Sequence, residues 1–113
     1  MEVNTLEIAQ LIVQAVEDKK ADRVVTLDIQ GLSVIADYFV ICNGNSETQV
    51  QAIAKEVRDK LQEVNIDIKG FEGFDAARWV LIDAGDVVVH IFHREERDFY
   101  NIERVWGDAR IVS

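Results

Sequence analysis

The chain has 113 residues, of which 49% are hydrophobic and 29% are charged, and its formal net charge is −9. A chain of this length typically builds one hydrophobic core, and its apolar content excludes the disorder-prone class, so we expect one globular domain over residues 1–113. The acidic balance disfavours nucleic acid, which is bound through basic side chains, and favours a basic protein as partner. Net charge also keeps small proteins in solution, and that explanation stays open.

The single cysteine and the start of the chain indicate the compartment. Cys42 has no second cysteine for an internal disulfide and follows Val40 and Ile41, so we expect a buried apolar side chain rather than a reactive thiolate. The start, MEVNTLEIAQ, is acidic where a secretory signal is basic, and no apolar run approaches the roughly 20 residues that a membrane helix needs. We expect a cytoplasmic protein without a membrane anchor.

The first half of the chain predicts one helix and two strands. Residues 5–19 carry apolar side chains at helical spacing, and Asn4 with Glu7 forms a capping pair at the start. In residues 24–29, the apolar Val25, Leu27 and Ile29 alternate with Val24, Thr26 and Asp28. Residues 38–42 form a short unbroken apolar run. Both are predicted strands, and the second is expected at the centre of the sheet because it has no polar face.

A second helix is predicted over residues 46–64. Ser46 and Gln49 form a capping box ahead of apolar side chains spaced three and four residues apart. Residues 66–68 then alternate between apolar and polar side chains, and this pattern predicts a short strand that ends at Gly70.

Residues 79–83 and 86–92 are predicted to pair as an antiparallel hairpin around Ala84-Gly85. A two-residue turn places Trp79 opposite His90, whereas a bulge at the glycine shifts this register by one residue. The first register is preferred because it gathers the aliphatic side chains on one core face. These side chains are Val80, Ile82, Val87, Val89 and Ile91.

The last predicted element is a helix from Arg94 to about Trp106, in which Phe99, Ile102 and Trp106 share one side. The resulting order is a helix, two strands, a helix, three strands and a helix. This order predicts an α/β fold with a mixed β-sheet of about five strands and with helices packed on it.

Sequence motifs for phosphate binding and catalysis are weak. The turn Asn43-Gly44-Asn45 before a helix could hold a phosphate, but a turn glycine followed by a capping serine accounts for it. A Gly-Ser turn also precedes metal-binding carboxylates in nucleotidyltransferases, and Asp83 with Asp86 is the only close acidic pair near a strand end. Such residues more often form turns. A metal-dependent nucleotidyltransferase is therefore kept only as the alternative function.

The histidines and the cysteine do not predict a metal or catalytic centre. His90 and His93 are three residues apart on a predicted strand, so their side chains point to opposite faces. Cys42 and His90 lack a third partner for nucleophilic catalysis. We expect no catalytic residue, no bound metal and no cofactor.

The second face of the hairpin is the candidate partner surface. It combines an aromatic side chain with a rim of carboxylates, as protein interfaces often do. Alternatively, this face is covered by Phe99 and Trp106 of the last helix or by a second subunit. Its members are Trp79, Leu81, Asp83, Asp86, Val88 and His90.

From about Leu6 to Trp106 the sequence resembles the ribosomal silencing factors, also called Iojap-like proteins. The combination is specific because its short pieces occur in order over the whole chain. These pieces are Asp37-Tyr38-Phe39-Val40-Ile41, Gly44 and Ser46, Glu72-Gly73 before Trp79, Leu81 with Asp83, Gly85 and Asp86, Val89-His90-Ile91-Phe92, and Arg97, Tyr100, Glu103 and Trp106.

The resemblance implies a homodimer with a nucleotidyltransferase-like fold that lacks the catalytic carboxylates. It also implies a translational repressor that binds the large-subunit ribosomal protein numbered fourteen at the face where the subunits meet. Binding there would sterically prevent the small subunit from joining. Direct sequence-specific binding of nucleic acid is not expected. The predicted partner-binding residues are Trp79, Asp83, Asp86 and His90, together with Glu72 and Gly73.

Overall fold

The fold places two long amphipathic helices on one face of a mixed sheet. The computed structural model describes residues 4–112. Within that range the helices are α1 (Thr5–Asp18), α2 (Glu47–Glu63), α3 (Arg94–Tyr100) and α4 (Ile102–Val105). The strands are β1 (Asp22–Asp28), β2 (Tyr38–Gly44), β3 (Gly70–Glu72), β4 (Trp79–Asp83), β5 (Val87–His93) and β6 (Arg110–Ile111).

Side-chain caps fix the first turns of the two long helices. The Asn4 side chain accepts a hydrogen bond from the backbone N–H of Glu7 at 2.8 Å, and the Ser46 hydroxyl accepts one from that of Gln49 at 3.1 Å. The side-chain oxygen of Gln49, Oε1, in turn accepts a hydrogen bond from the backbone N–H of Asn45 at 2.7 Å. Both predicted capping pairs are confirmed, and each satisfies backbone donors that a helix leaves unpaired at its start.

The strands of the described residues lie in the order β3-β4-β5-β2-β1-β6. β2 pairs with β5 in parallel, and the other neighbours are antiparallel. Every residue of β2 is buried, in agreement with its predicted central position. The predicted α/β class with a mixed sheet is confirmed, although the sheet has six strands rather than about five. The additional strand, β6, pairs only at Leu27↔Ile111 and Asp28↔Arg110.

The strand predicted over residues 66–68 is wrong. Those residues have no strand pairing, and Ile66 and Ile68 pack half-buried against the core as irregular chain. Strand β3 begins at Gly70, where the prediction had a strand end. Alternating apolar residues can fill a core edge without a hydrogen-bonded neighbour, and the pattern alone does not distinguish the two cases.

The predicted hairpin register is also wrong, and so is the alternative with a bulge. Trp79 lies opposite Phe92, and Leu81 lies opposite His90. The turn residues are Gly85, with φ of +90°, and Asp86, a pattern typical of a type II′ turn. The error is two residues, which leaves every side chain on its predicted face. The aliphatic core face is therefore confirmed, with Val80, Ile82, Val87, Val89 and Ile91 fully buried.

A single C-terminal helix was predicted, but the chain forms two short helices. Asn101 adopts a left-handed conformation, with φ of 43° and ψ of 55°, between α3 and α4. The break turns the Phe99 side chain outwards, so that it is 79% exposed, whereas Ile102 and Trp106 pack on the sheet. The prediction that these three residues share one side is therefore wrong for Phe99.

A buried arginine holds the two short helices together. Arg97 is 1% exposed and donates to both carboxylate oxygens of Glu103, at 3.0 and 3.1 Å. It also donates to the side-chain oxygen of Asn43 at 3.2 Å. A bidentate pair of this kind fixes geometry as well as charge. The contacts bridge the Asn101 break and join the C-terminal helices to the end of β2.

The sheet carries a core on each face. The larger core lies under α1 and α2. The smaller core lies on the opposite face, where Ile102, Trp106 and Ala109 pack against it. Its buried members are Leu27, Ile29, Ala36, Phe39, Ile41, Val88 and Phe92. No helix within the described range is both long and apolar enough to cross a membrane.

Candidate protein-binding site

The candidate site lies on the smaller-core side of β3, β4 and β5, and we call this region the Trp79 face. Strand pairing sets Glu72 opposite Leu81, and Leu81 opposite His90. Because Trp79 and Asp83 are two residues from Leu81, their side chains point the same way. The register therefore brings together residues from three strands, as the site prediction requires.

Trp79 is the centre of an aromatic cluster. Its ring stacks on Phe92, with centroids 4.9 Å apart and planes at 29°, and it meets Tyr100 at 4.8 Å. Its indole N–H donates to Nδ1 of His90 at 3.2 Å. The ring is nonetheless only half-buried. A large aromatic side chain held on several sides and open on another is suited to act as an anchor for a partner.

A shallow groove of about 370 Å³ runs beside the Trp79 ring, and Glu72, Gly73, Trp79 and Leu81 line it. Gly73 has φ of +82°, and a β-carbon there would overlap the carbonyl oxygen of Trp79. Glycine is required because it permits both the left-handed conformation and the close approach of the two backbones. Three of the six predicted site residues thus meet at one groove.

His90 lies behind Trp79 rather than on the open surface. Its side chain is 5% exposed and packs edge to face with Phe39, with centroids 4.6 Å apart. Burial lowers the pKa of His90 from 6.5 to about 4. The ring is therefore neutral near pH 7. A partner could reach His90 only if the surrounding side chains moved.

The two aspartates of the hairpin end have different surroundings. Asp83 is half-buried, and its carboxylate accepts a hydrogen bond from the backbone N–H of Gly85 at 2.8 Å. Asp86 is an exposed turn residue whose backbone carbonyl accepts from Asp37 and Tyr38. The Asp83 contact is a turn-stabilising interaction. Both carboxylates lie beyond the groove, at the end of the Trp79 face.

The other polar groups considered for chemistry lie apart. Cys42 is fully buried, as predicted, and burial raises the pKa of its thiol to about 12. His93 points away from His90, towards the opposite face, and its Nδ1 accepts from the backbone N–H of Glu95 at 3.2 Å. Among residues 4–112, no three His, Cys, Asp or Glu side chains lie close enough together to hold a metal ion.

A family model described as "Ribosomal silencing factor during starvation" matches residues 2–113. The chain belongs to the ribosomal silencing factor family. It is 60% identical over 106 residues to ribosomal silencing factor RsfS of Halalkalibacterium halodurans, covering 94% of this chain and 91% of that protein. It is 53% identical over 110 residues to RsfS of Bacillus subtilis, covering 97% and 93%. Protein Iojap, chloroplastic, of Zea mays is 33% identical over 104 residues, which cover 92% of this chain and 45% of that protein.

Two crystal structures resemble this ribosomal silencing factor closely. A protein from Bacillus halodurans is 54% identical, with a TM-score of 0.87 over 96% of this chain and 99% of that one. A protein from Chromobacterium violaceum is 41% identical, with a TM-score of 0.91 over 93% and 88%. The predicted resemblance to the family is confirmed by sequence and by fold.

Sequence reasoning missed part of the aromatic cluster in this ribosomal silencing factor. Tyr100 contacts Trp79 but was not placed on the candidate partner surface. Leu81, which lines the groove, was placed there because it shares the alternating face of Trp79. The contact of Tyr100 could not be predicted, because its position depends on the break at Asn101. Ile102 and Trp106 cover the part of this side of the sheet that lies around Phe39. The part around Trp79 stays open, so internal packing and an open surface occupy different parts of this face.

Proposed function

We propose that this ribosomal silencing factor represses translation by binding the large ribosomal subunit through its Trp79 face. The partner is the large-subunit protein conventionally numbered fourteen, and the bound factor sterically prevents the small subunit from joining. The role is regulatory and requires no catalysis. We propose that residues 1–113 act as one silencing domain in the cytoplasm. The observation that carries the proposal is the half-buried Trp79, which the Phe92 and Tyr100 rings hold beside an open groove.

The aromatic cluster supports this assignment energetically. Interface hot spots are commonly aromatic side chains that lie in a well-packed surrounding and have polar groups at the edge. Trp79 has this setting, with Phe92 and Tyr100 against its ring and Glu72 beside the groove. Trp79→Ala should therefore weaken binding to the large subunit by about 2 kcal/mol or more, which is roughly a thirtyfold loss of affinity.

The charge of the molecule supports a basic partner. The chain carries a net charge of −9, and Glu72, Asp83 and Asp86 lie on or at the end of the Trp79 face. Rim charges mainly change the rate of association and its salt dependence. We therefore expect Asp86→Asn, which changes an exposed carboxylate, to slow association and reduce its salt dependence while the dissociation rate changes little.

Sedimentation with isolated large subunits, combined with a subunit-joining assay, tests the proposal. The wild type should co-sediment with large subunits and inhibit joining, and Trp79→Ala should do neither at the same concentration. Trp106→Ala is the matched control, because this second tryptophan packs edge to face with Phe39 at 5.3 Å. We expect that control to lower the free energy of unfolding before it lowers affinity.

Two outcomes would contradict the proposal. In the first, Trp79→Ala unfolds the protein while Trp106→Ala spares the fold and abolishes binding, which would move the binding site to the other end of the face. In the second, the wild type leaves subunit joining unchanged but transfers a nucleotide in a metal-dependent reaction that Asp83→Asn abolishes. The second result would favour the alternative of a nucleotidyltransferase.

We also propose that the protein acts as a homodimer. The loop before β2 exposes Leu32, Val34 and Ile35 to solvent, and residues 29–36 carry no charged side chain. Two acidic copies repel each other least where neither carries charge, and exposed apolar patches often mark protein contacts. Sedimentation velocity should give a dimer mass that Val34→Glu lowers to that of a monomer. A monomer mass for the wild type at every concentration would contradict the homodimer.

A further inference from the structure

The hydrogen bond between the two central rings of the Trp79 face suggests a role for His90. In the antiparallel pairing of β4 with β5, Trp79 lies opposite Phe92, and His90 is two residues along β5. Diagonal neighbours on one face of a sheet are within reach of large side chains. The indole N–H of Trp79 uses this proximity to donate to Nδ1 of His90 at 3.2 Å.

The His90 ring is itself held firmly in place. Phe39 meets it at 4.6 Å, and the Phe92 ring lies nearly parallel to it, at an interplanar angle of 11°. Because Nδ1 accepts the indole hydrogen bond, the neutral ring carries its proton on Nε2. Within the described part of the chain, that Nε2 is buried and has no hydrogen-bond partner.

A histidine at this position is unfavourable for packing alone. A buried polar nitrogen without a partner destabilises the folded state. The same face carries Phe39, Ile41 and Phe92, so an apolar side chain would fill the space without that cost. What an apolar side chain would lack is an acceptor for the indole N–H of Trp79.

We propose that His90 is a positioning residue, which fixes the orientation of the Trp79 ring in which the partner binds it. This inference rests on the proposed function and assigns His90 a place behind the binding surface. A side chain that is already ordered loses less conformational freedom on binding. Removal of the acceptor should therefore weaken binding of the large subunit about two- to tenfold, even when the fold and the Trp79 side chain are intact.

Two substitutions of His90 separate positioning from packing. His90→Phe keeps a ring of similar size but removes the acceptor, whereas His90→Asn keeps an acceptor near the position of Nδ1. His93→Asn is the matched control. His93 is also buried and also accepts through Nδ1, but on the opposite face and from the backbone of α3.

The first readout is nuclear magnetic resonance of the indole N–H groups of Trp79 and Trp106. A Trp79→Phe variant assigns the two resonances. His90→Phe should shift the Trp79 resonance and accelerate its exchange with water while the Trp106 resonance stays in place. His90→Asn should restore most of the wild-type behaviour, and His93→Asn should leave the Trp79 resonance unchanged.

The second readout is the affinity of each folded variant for isolated large subunits. The expected order is wild type and His93→Asn tightest, His90→Asn close behind, and His90→Phe about two- to tenfold weaker. If His90→Phe does not fold, His90→Ser, which is too short to reach the indole, takes its place. A wild type that fails to bind overturns the proposed function. A wild type that binds no more tightly than the variants lacking the acceptor overturns only the role of His90.

Discussion

The buried His90 ring predicts a defined loss of stability on acidification. Burial lowers its pKa from 6.5 to about 4 in the folded protein, whereas in the unfolded chain the ring titrates at its ordinary value. Between these pH values the unfolded chain binds one proton more than the folded protein. The free energy of unfolding therefore falls as the pH is lowered through this window, and it is unaffected above the window. At about 1.4 kcal/mol per pH unit, the loss reached at pH 4 is about 3 kcal/mol, and the loss is complete only below that pH.

Urea denaturation followed by circular dichroism, at a series of pH values from about 7.5 to about 4, measures this loss. His90→Asn is the reference, because it lacks the titrating ring while its carboxylates are those of the wild type. The wild type should lose about 3 kcal/mol more than this variant across the window. Stability curves that stay parallel down to pH 4, or a pKa of 6.5 for His90 measured by nuclear magnetic resonance, would refute the reasoning.

Three further predictions concern stability. Gly73→Ala should lower the free energy of unfolding by about 1–3 kcal/mol more than Gly31→Ala. Both glycines have φ of +82°, but only at Gly73 would a β-carbon overlap the chain. Equal melting temperatures of the two variants would contradict this prediction. Arg97→Leu should lower the free energy of unfolding by about 3 kcal/mol, because it removes both hydrogen bonds to the part-buried Glu103 carboxylate and the donor to the buried side-chain oxygen of Asn43. Chemical denaturation measures the loss, and a value below about 1 kcal/mol would mean that the ion pair contributes little. Ser46→Ala removes the cap of α2 and should cost about 1 kcal/mol, whereas Ser46→Asp should retain most of the stability.

The sequence was sufficient to predict those parts of the structure that the local side-chain pattern determines. The faces of β4 and β5 followed from alternation, and the starts of α1 and α2 followed from the Asn4 and Ser46 caps. Both signals are local, because each depends on residues within one turn or one strand. The family resemblance added the ribosomal role, which no composition or spacing contains.

The sequence was not sufficient to predict structure where the side-chain pattern fits more than one arrangement, or where the structure depends on distant partners. The hairpin register shifted by two because Gly85 and Asp86 form the turn, a choice that leaves the hydrophobic pattern unchanged. The break at Asn101 lies between helices joined by the Arg97–Glu103 pair, and no local apolar pattern marks it. For the same reason the contact of Tyr100 with Trp79, and the burial of His90 behind it, could not be predicted. These contacts define the shape of the candidate site.

The parallel pairing of β2 with β5 constrains the order in which the chain can fold during synthesis. The two central strands of the sheet are separated by residues 45–86, and parallel strands cannot be joined by a short turn. Contacts between segments so far apart close large loops and slow the folding reaction. An emerging chain can form α1 and the β1–β2 pair early, but one edge of β2 stays unpaired until β5 has left the exit tunnel. We expect nascent chains arrested before Val87 to be sensitive to protease and chains in which β5 has left the tunnel to be resistant, so that a factor proposed to act on ribosomes completes its own sheet only after β5 has been synthesised.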